Sequence, residues 1–136
     1  MTVEELVENF ELFDDWEDRY GYLIDLGRQL PPYPDELRDD AHKVRGCISQ
    51  VWLATEKTDD DPPKLIFRAD SDAAIVKGLV AVLLVIFSNR TPQEILDTKL
   101  EPIFERLNLE QHISPNRRNG FRAMIERIRD EARKAA

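Results

Sequence analysis

The sequence predicts an α+β fold, a small antiparallel sheet of about three strands flanked by helices. Two β-prone runs, Gln50 to Glu56 and Lys64 to Ala69, lie close together and are separated by the turn-rich Thr58-Asp59-Asp60-Asp61-Pro62-Pro63. Helical patterns come before and after these strands and do not alternate with them, which disfavours βαβ units. The chain has 136 residues, 42% apolar and 34% charged, which suits one globular domain (residues 1–136) able to bury its own core.

Each element has a local cause. Thr2-Val3-Glu4-Glu5 is a capping box that opens a helix, with Val3, Leu6, Val7 and Phe10 on one face. Asp14 is the expected N-cap of a second helix, whose acidic first turn suits the helix dipole. Trp16, Tyr20, Leu23, Gly27 and Leu30 follow at helical spacing, as core positions, until Pro31-Pro32 stops the helix. Residues 35–40 read as a polar loop or short helical turn, and His42 to Arg45 as a short third strand beside the hairpin. Ser71 is the expected cap of a buried central helix over Ala73 to Phe87, within which Gly78 permits close packing. Thr91-Pro92-Gln93-Glu94 is a second capping box, with proline at the first helical position. A short helix runs from Glu101 to about Leu107. The last starts at Ser114-Pro115, with Phe121, Met124, Ile125 and Ile128 inward and arginines outward.

Charge excludes some functions. The net charge is −8, and residues 1–40 alone carry −10, whereas the segment from Ser114 onward carries +4. An acidic total lacks the basic footprint that neutralises phosphates, so no nucleic acid is expected as a partner. The acidic first third reads as a solvated helical face or as a steering patch for a protein partner. No apolar run reaches the roughly 18–20 residues that span a bilayer, so no membrane association is expected. The acidic opening Met1-Thr2-Val3-Glu4-Glu5 does not resemble a secretory signal, and a lone cysteine fits a reducing compartment, so a cytoplasmic location is expected.

That cysteine, Cys47, lies in Lys43-Val44-Arg45-Gly46-Cys47-Ile48-Ser49-Gln50-Val51-Trp52-Leu53. One cysteine closes no intrachain disulfide and builds no cysteine-rich metal site, and two distant histidines do not complete one, so no metal is expected. A packed inert thiol, an intermolecular link or a nucleophile remain. Gly46 lets the backbone turn, which puts Cys47 at a loop tip before an anchoring strand. Ser49 and Gln50 offer polar groups to fix that loop or meet a sulfur anion. Arg45 either faces solvent or, if the chain is extended there, points the same way as Cys47 and favours its thiolate. Val51, Trp52 or the long apolar helix offer shelter for a reactive sulfur species.

The run Gly46-Cys47-Ile48-Ser49-Gln50-Val51-Trp52 resembles the signature of the SufE family, which accepts sulfur from a cysteine desulfurase for iron–sulfur cluster assembly. Asp70 to Gly78, Gln111 to Gly120, Trp16 to Tyr20 and Leu26-Gly27 resemble the same family, in order along nearly the whole chain. The resemblance implies the fold that this family shares with IscU-type scaffold proteins, and it makes Cys47 the sulfur acceptor. It places Asp72 and Arg117 near the cysteine loop or on the desulfurase-facing surface. It implies a SufS-type cysteine desulfurase as partner, with the pyridoxal phosphate in that partner and no cofactor here, and an iron–sulfur scaffold downstream. The chain then reads as a covalent sulfur-transfer partner that stimulates the desulfurase, more than as an enzyme itself, and as a monomer or homodimer.

From the residues alone, Asp72 is also a first-turn acid suited to the helix dipole and Arg117 also a surface base. Arg117 and Arg118 stand against that dipole, which points to a tertiary role. His42 and His112 raise a stand-alone cysteine hydrolase as an alternative, although neither is a good candidate base. A non-catalytic interaction domain with a structural cysteine is the other alternative.

Overall fold

A computed structural model describes residues 1–136. The order is α1 (Val3–Glu11), α2 (Trp16–Arg28), β1 (Val51–Lys57), β2 (Leu65–Ser71), α3 (Ala74–Phe87), α4 (Pro92–Asp97), α5 (Glu101–Leu107) and α6 (Pro115–Ala135), with 3-10 turns at Asp35–Leu37 and Glu110–His112. No helix is long and apolar enough to cross a membrane.

The α+β class stands, with a smaller sheet than expected. β1 and β2 form an antiparallel hairpin in which Trp52 faces Asp70 and Leu53 faces Ala69. The segment expected as a third strand contributes one bridge, Lys43 to Trp52. Its two backbone bonds run from Val44 N–H to the Val51 carbonyl and from Leu53 N–H to the His42 carbonyl, both 2.8 Å. Pairing cannot continue past Val44, because Gly46 turns the chain away with φ +93°. A second bridge, Arg90 to Leu65, borders the other edge.

The capping chemistry largely follows the sequence. The Thr2 hydroxyl accepts the Glu5 N–H, but the expected box is only half made, because the Glu5 carboxylate takes the Thr2 hydroxyl and not its N–H. Thr91 and Glu94 form a reciprocal capping box, and the Ser114 hydroxyl accepts the Arg117 N–H. Two expected caps move. Asp15, not Asp14, caps α2 by accepting the Asp18 N–H. Ser71 is the buried last residue of β2 and accepts the Ala73 N–H, so α3 starts at Ala74, and Asp72 lies before the helix.

α3 is the central element. Val76, Leu79, Val80, Val82, Leu83, Ile86 and Phe87 are buried in one core with Leu6, Val7 and Phe10 of α1 and Phe121, Met124 and Ile128 of α6. The inward sheet residues Val51, Leu53 and Ala69 meet Val80 and Leu83 of α3 and Met124 and Ile128 of α6. Crossing α2 requires two glycines: a Cβ on Gly78 would lie 2.3 Å from the Leu23 carbonyl oxygen, and one on Gly27 would lie 2.8 Å from the Gly78 nitrogen.

Candidate functional site: a half-buried thiol on a pinned loop

The cysteine loop, residues 45–50, leaves the sheet after the Val44–Val51 hydrogen bond and is pinned at both ends. At its start, the Arg127 guanidinium of α6 donates to the carbonyls of Lys43 (3.1 Å) and Ala41 (2.9 Å) and pairs with Glu131. At its end, the Asp72 carboxylate accepts the Gln50 N–H at 3.0 Å, while the Asp72 N–H donates to the Gln50 carbonyl at 3.3 Å. Asp72 therefore acts on the loop, not on the dipole of α3. Gln50 holds the loop through its backbone, and its side chain is exposed.

Between these pins Cys47 points inward while its neighbour points out. Its thiol donates to the Gly120 carbonyl of α6, 3.5 Å away. Ile48, beside it, is 79% exposed. The thiol opens on a cavity of about 290 Å³ lined by Val76 and Leu79 of α3, Phe121 and Met124 of α6, and Ser49. Ser114, Asn116 and Arg117 give the same cavity a polar side. Two helices thus supply the apolar shelter; Trp52 and Val51, the other expected sources, do not line it.

Burial alone pushes the Cys47 pKa above its ordinary value, because desolvation penalises the thiolate. Of the two alternatives for Arg45, it faces solvent in this conformation: the residue is exposed, and the positive φ of Gly46 breaks the extended geometry that would align residues 45 and 47. Arg117 is the one charged side chain lining the cavity; it is exposed and sits in the first turn of α6. Its neighbour Arg118 donates to the Glu110 carbonyl at 3.3 Å, so part of the unfavourable charge at this helix start is used to fix the preceding turn.

The histidines lie elsewhere. His42 Nδ1 is 2.7 Å from the Asp39 carboxylate. His112 stacks on Trp16 with centroids 3.9 Å apart, and its carbonyl accepts the Tyr20 hydroxyl. Neither lines the cysteine cavity. No group of three or more His, Cys, Asp or Glu side chains is placed to hold a metal ion.

Sequence reasoning missed three contributors. Gly120 supplies both the acceptor and the space for the thiol, and a glycine interrupting an otherwise strong helical pattern was the available signal. Arg127 looked like any outward arginine of α6. Asp70 joins two cations, Arg38 at 2.7 Å and Lys77 at 3.2 Å, while Arg38 lies over the rings of Tyr33 and Trp52.

Comparison with known proteins adds a family and a fold. Residues 4–132 match the family described as SufE, an Fe-S metabolism associated domain. An uncharacterized SufE-like protein of Rhizobium meliloti is 46% identical over 132 residues, covering 96% of this chain and 94% of its own length. A second, from Rhizobium etli, is 43% identical over 133 residues, covering 97% and 90%. The solution structure of a hypothetical protein from Thermus thermophilus superposes with a TM-score of 0.77, covering 99% of this chain and 98% of that one. At 20% identity, that match speaks to the fold alone.

Proposed function

Because the chain belongs to the SufE family, we propose that it is a sulfur carrier: Cys47 takes sulfur from a persulfide on a SufS-type cysteine desulfurase, stimulates that enzyme and passes the sulfur to an iron–sulfur scaffold. The pyridoxal phosphate that generates the persulfide belongs to the partner. The observation that supports this reading is a single cysteine on a loop fixed at both ends, its half-buried thiol lining a cavity walled by apolar side chains of α3 and α6.

The step balances without an oxidant. The Cys47 thiolate attacks the outer sulfur of the donor persulfide, a new S–S bond forms, the donor's S–S bond breaks, and the donor cysteine leaves as a thiolate. Cys47 then carries a persulfide. At rest, burial keeps Cys47 protonated and a poor nucleophile. Docking that draws the loop outward restores water around the sulfur and raises the thiolate fraction where the donor is presented. Ile48, already exposed, is the first side chain a docking surface meets. Val76, Leu79, Phe121 and Met124 shelter the loaded sulfur between partners.

Mass spectrometry after incubation with desulfurase and cysteine tests this. The expected result is the added mass of one or more sulfur atoms on Cys47, lost in Cys47→Ser. Unmodified Cys47 alongside an active desulfurase, or undiminished delivery by Cys47→Ser, overturns it. A stand-alone hydrolase has little support in the geometry, since one histidine is paired to Asp39 and the other is stacked on Trp16.

A further inference from the structure

We propose that Gly120 is a positioning residue: its missing side chain is the seat that lets the resting Cys47 thiol withdraw against α6, and filling that seat displaces the thiol from it. The inference rests on Cys47 being the working nucleophile.

Two independent observations carry it. The first is geometric. A Cβ built on Gly120 would lie 3.3 Å from Cys47 Sγ, tighter than ordinary van der Waals contact, and 3.7 Å from both Cα and Cβ of Cys47, which is ordinary contact. The steric conflict is therefore with the sulfur atom. The same residue's carbonyl accepts the thiol, so the withdrawn position is both vacated and bonded by one residue. The second observation is energetic. Gly120 is buried inside α6, where glycine is a poorer helix former than alanine and no turn or positive φ calls for it. The three heavy atoms nearest to a Cβ placed there all belong to Cys47.

An alanine at position 120 asks Sγ to give by a few tenths of an ångström, and α6, the loop tip or the Cys47 side chain turning about χ1 can supply that. α6 is held by Phe121, Met124, Ile125 and Ile128 in the core, whereas the loop tip holds one weak thiol bond and turns at Gly46. The loop tip and the Cys47 side chain are softer than α6, so the thiol is what gives way, away from the helix. Arg117 is the one charged side chain lining the cavity, so relief of burial, more than a change of nearby charge, governs the thiol's response.

The thiol is read first by alkylation with iodoacetamide in the isolated protein across pH. Gly120→Ala is expected to react several-fold faster than wild type near neutral pH, with its pH midpoint shifted down toward the free-thiol range. An equal or slower rate with an unmoved midpoint overturns the proposal. A thermal double-mutant cycle provides the second readout. If the conflict is with Sγ, Gly120→Ala raises the melting midpoint more in the Cys47→Ala background than in wild type. Equal shifts in both backgrounds overturn it. Unfolding of Gly120→Ala with Cys47 present and recovery in the Cys47→Ala background supports it, whereas unfolding in both places the conflict elsewhere and overturns it. None of these assays involves the desulfurase, so the seat can fail while sulfur loading of Cys47 stands, and the reverse.

Discussion

The sulfur of Cys47 has two neighbours that decide its chemistry: the carbonyl of Gly120 and the apolar wall of α3 and α6. Both favour the neutral thiol. A carbonyl accepts the S–H bond but offers nothing to an anion, and burial removes the water that would solvate one. The wild-type protein alone is thus expected to alkylate with a pH midpoint above the roughly 8.5 of a free cysteine, and addition of the desulfurase is expected to lower that midpoint and speed the reaction at neutral pH. Rates measured from pH 6 to 10 with and without partner check this. A midpoint at or below that of a free thiol would mean that burial does not control the group. Arg45 shows why residue-level reading stops at the backbone. Its i, i+2 spacing from Cys47 assumed an extended chain, and one positive φ at Gly46 removed the alignment. Asp72 shows the opposite case. Its place beside the helix start was legible, but its work, bonding the Gln50 N–H across the site, depends on a contact 22 residues away that no local pattern encodes.

Among the elements, α3 sets the geometry because α2 is fixed closely against it. Its crossing with α2 is closer than side chains permit, with Gly27 and Gly78 opposed. Gly78→Ala places a methyl 2.3 Å from a backbone oxygen of Leu23, which no rotamer change relieves. A loss of ~3 kcal/mol is expected, at the upper end of the range for overpacking, and urea denaturation measures it; a loss below about 1 kcal/mol would show that the helices separate easily. The sequence revealed that Gly78 allows close packing because a glycine in an apolar helix needs a reason. It did not reveal the partner, because helix periodicity specifies a face and not what lies against it. The elements were legible for the same kind of reason. The cap at Thr2, the capping box at Thr91, prolines after Leu30 and the alternation through Leu65 and Phe67 are local signals with local causes. The segment before the cysteine loop reads as a strand because Lys43 and Val44 do pair with β1, but for a single bridge only.

Across the whole molecule, the question is what holds the chain before the cysteine loop to the sheet and α3, since that segment makes only one bridge. The answer centres on Asp70, whose side chain is 16% exposed. From β2 it reaches Arg38 of the preceding segment and Lys77 of α3, and it also accepts the Ser71 N–H. Arg38 in turn lies over Tyr33 and over Trp52. One carboxylate therefore ties the distant Arg38 segment to β2 and to α3, which follows β2 in the chain. Burial alone would raise its pKa, but the bonds from Arg38, Ser71 N–H and Lys77 outweigh that and hold it below the usual carboxylate range. The sign for stability follows. A carboxylate depressed in the folded state contributes its full stabilisation above its unfolded pKa near 3.9 and loses it as pH falls through the lower folded value. Asp70→Asn is expected to cost about 1–2 kcal/mol at pH 7, less than the strongest charged hydrogen bonds because Arg38 and Lys77 are each about a third exposed. Urea unfolding of wild type and Asp70→Asn at pH 7, 5, 4 and 3 tests both the size and the sign. The gap between the two proteins should hold from pH 7 to 5 and close below about pH 4, as the wild-type carboxylate becomes neutral like the amide. A gap that persists unchanged at pH 3 would mean that shape, not charge, makes Asp70 the tie between the leading segment and the sheet.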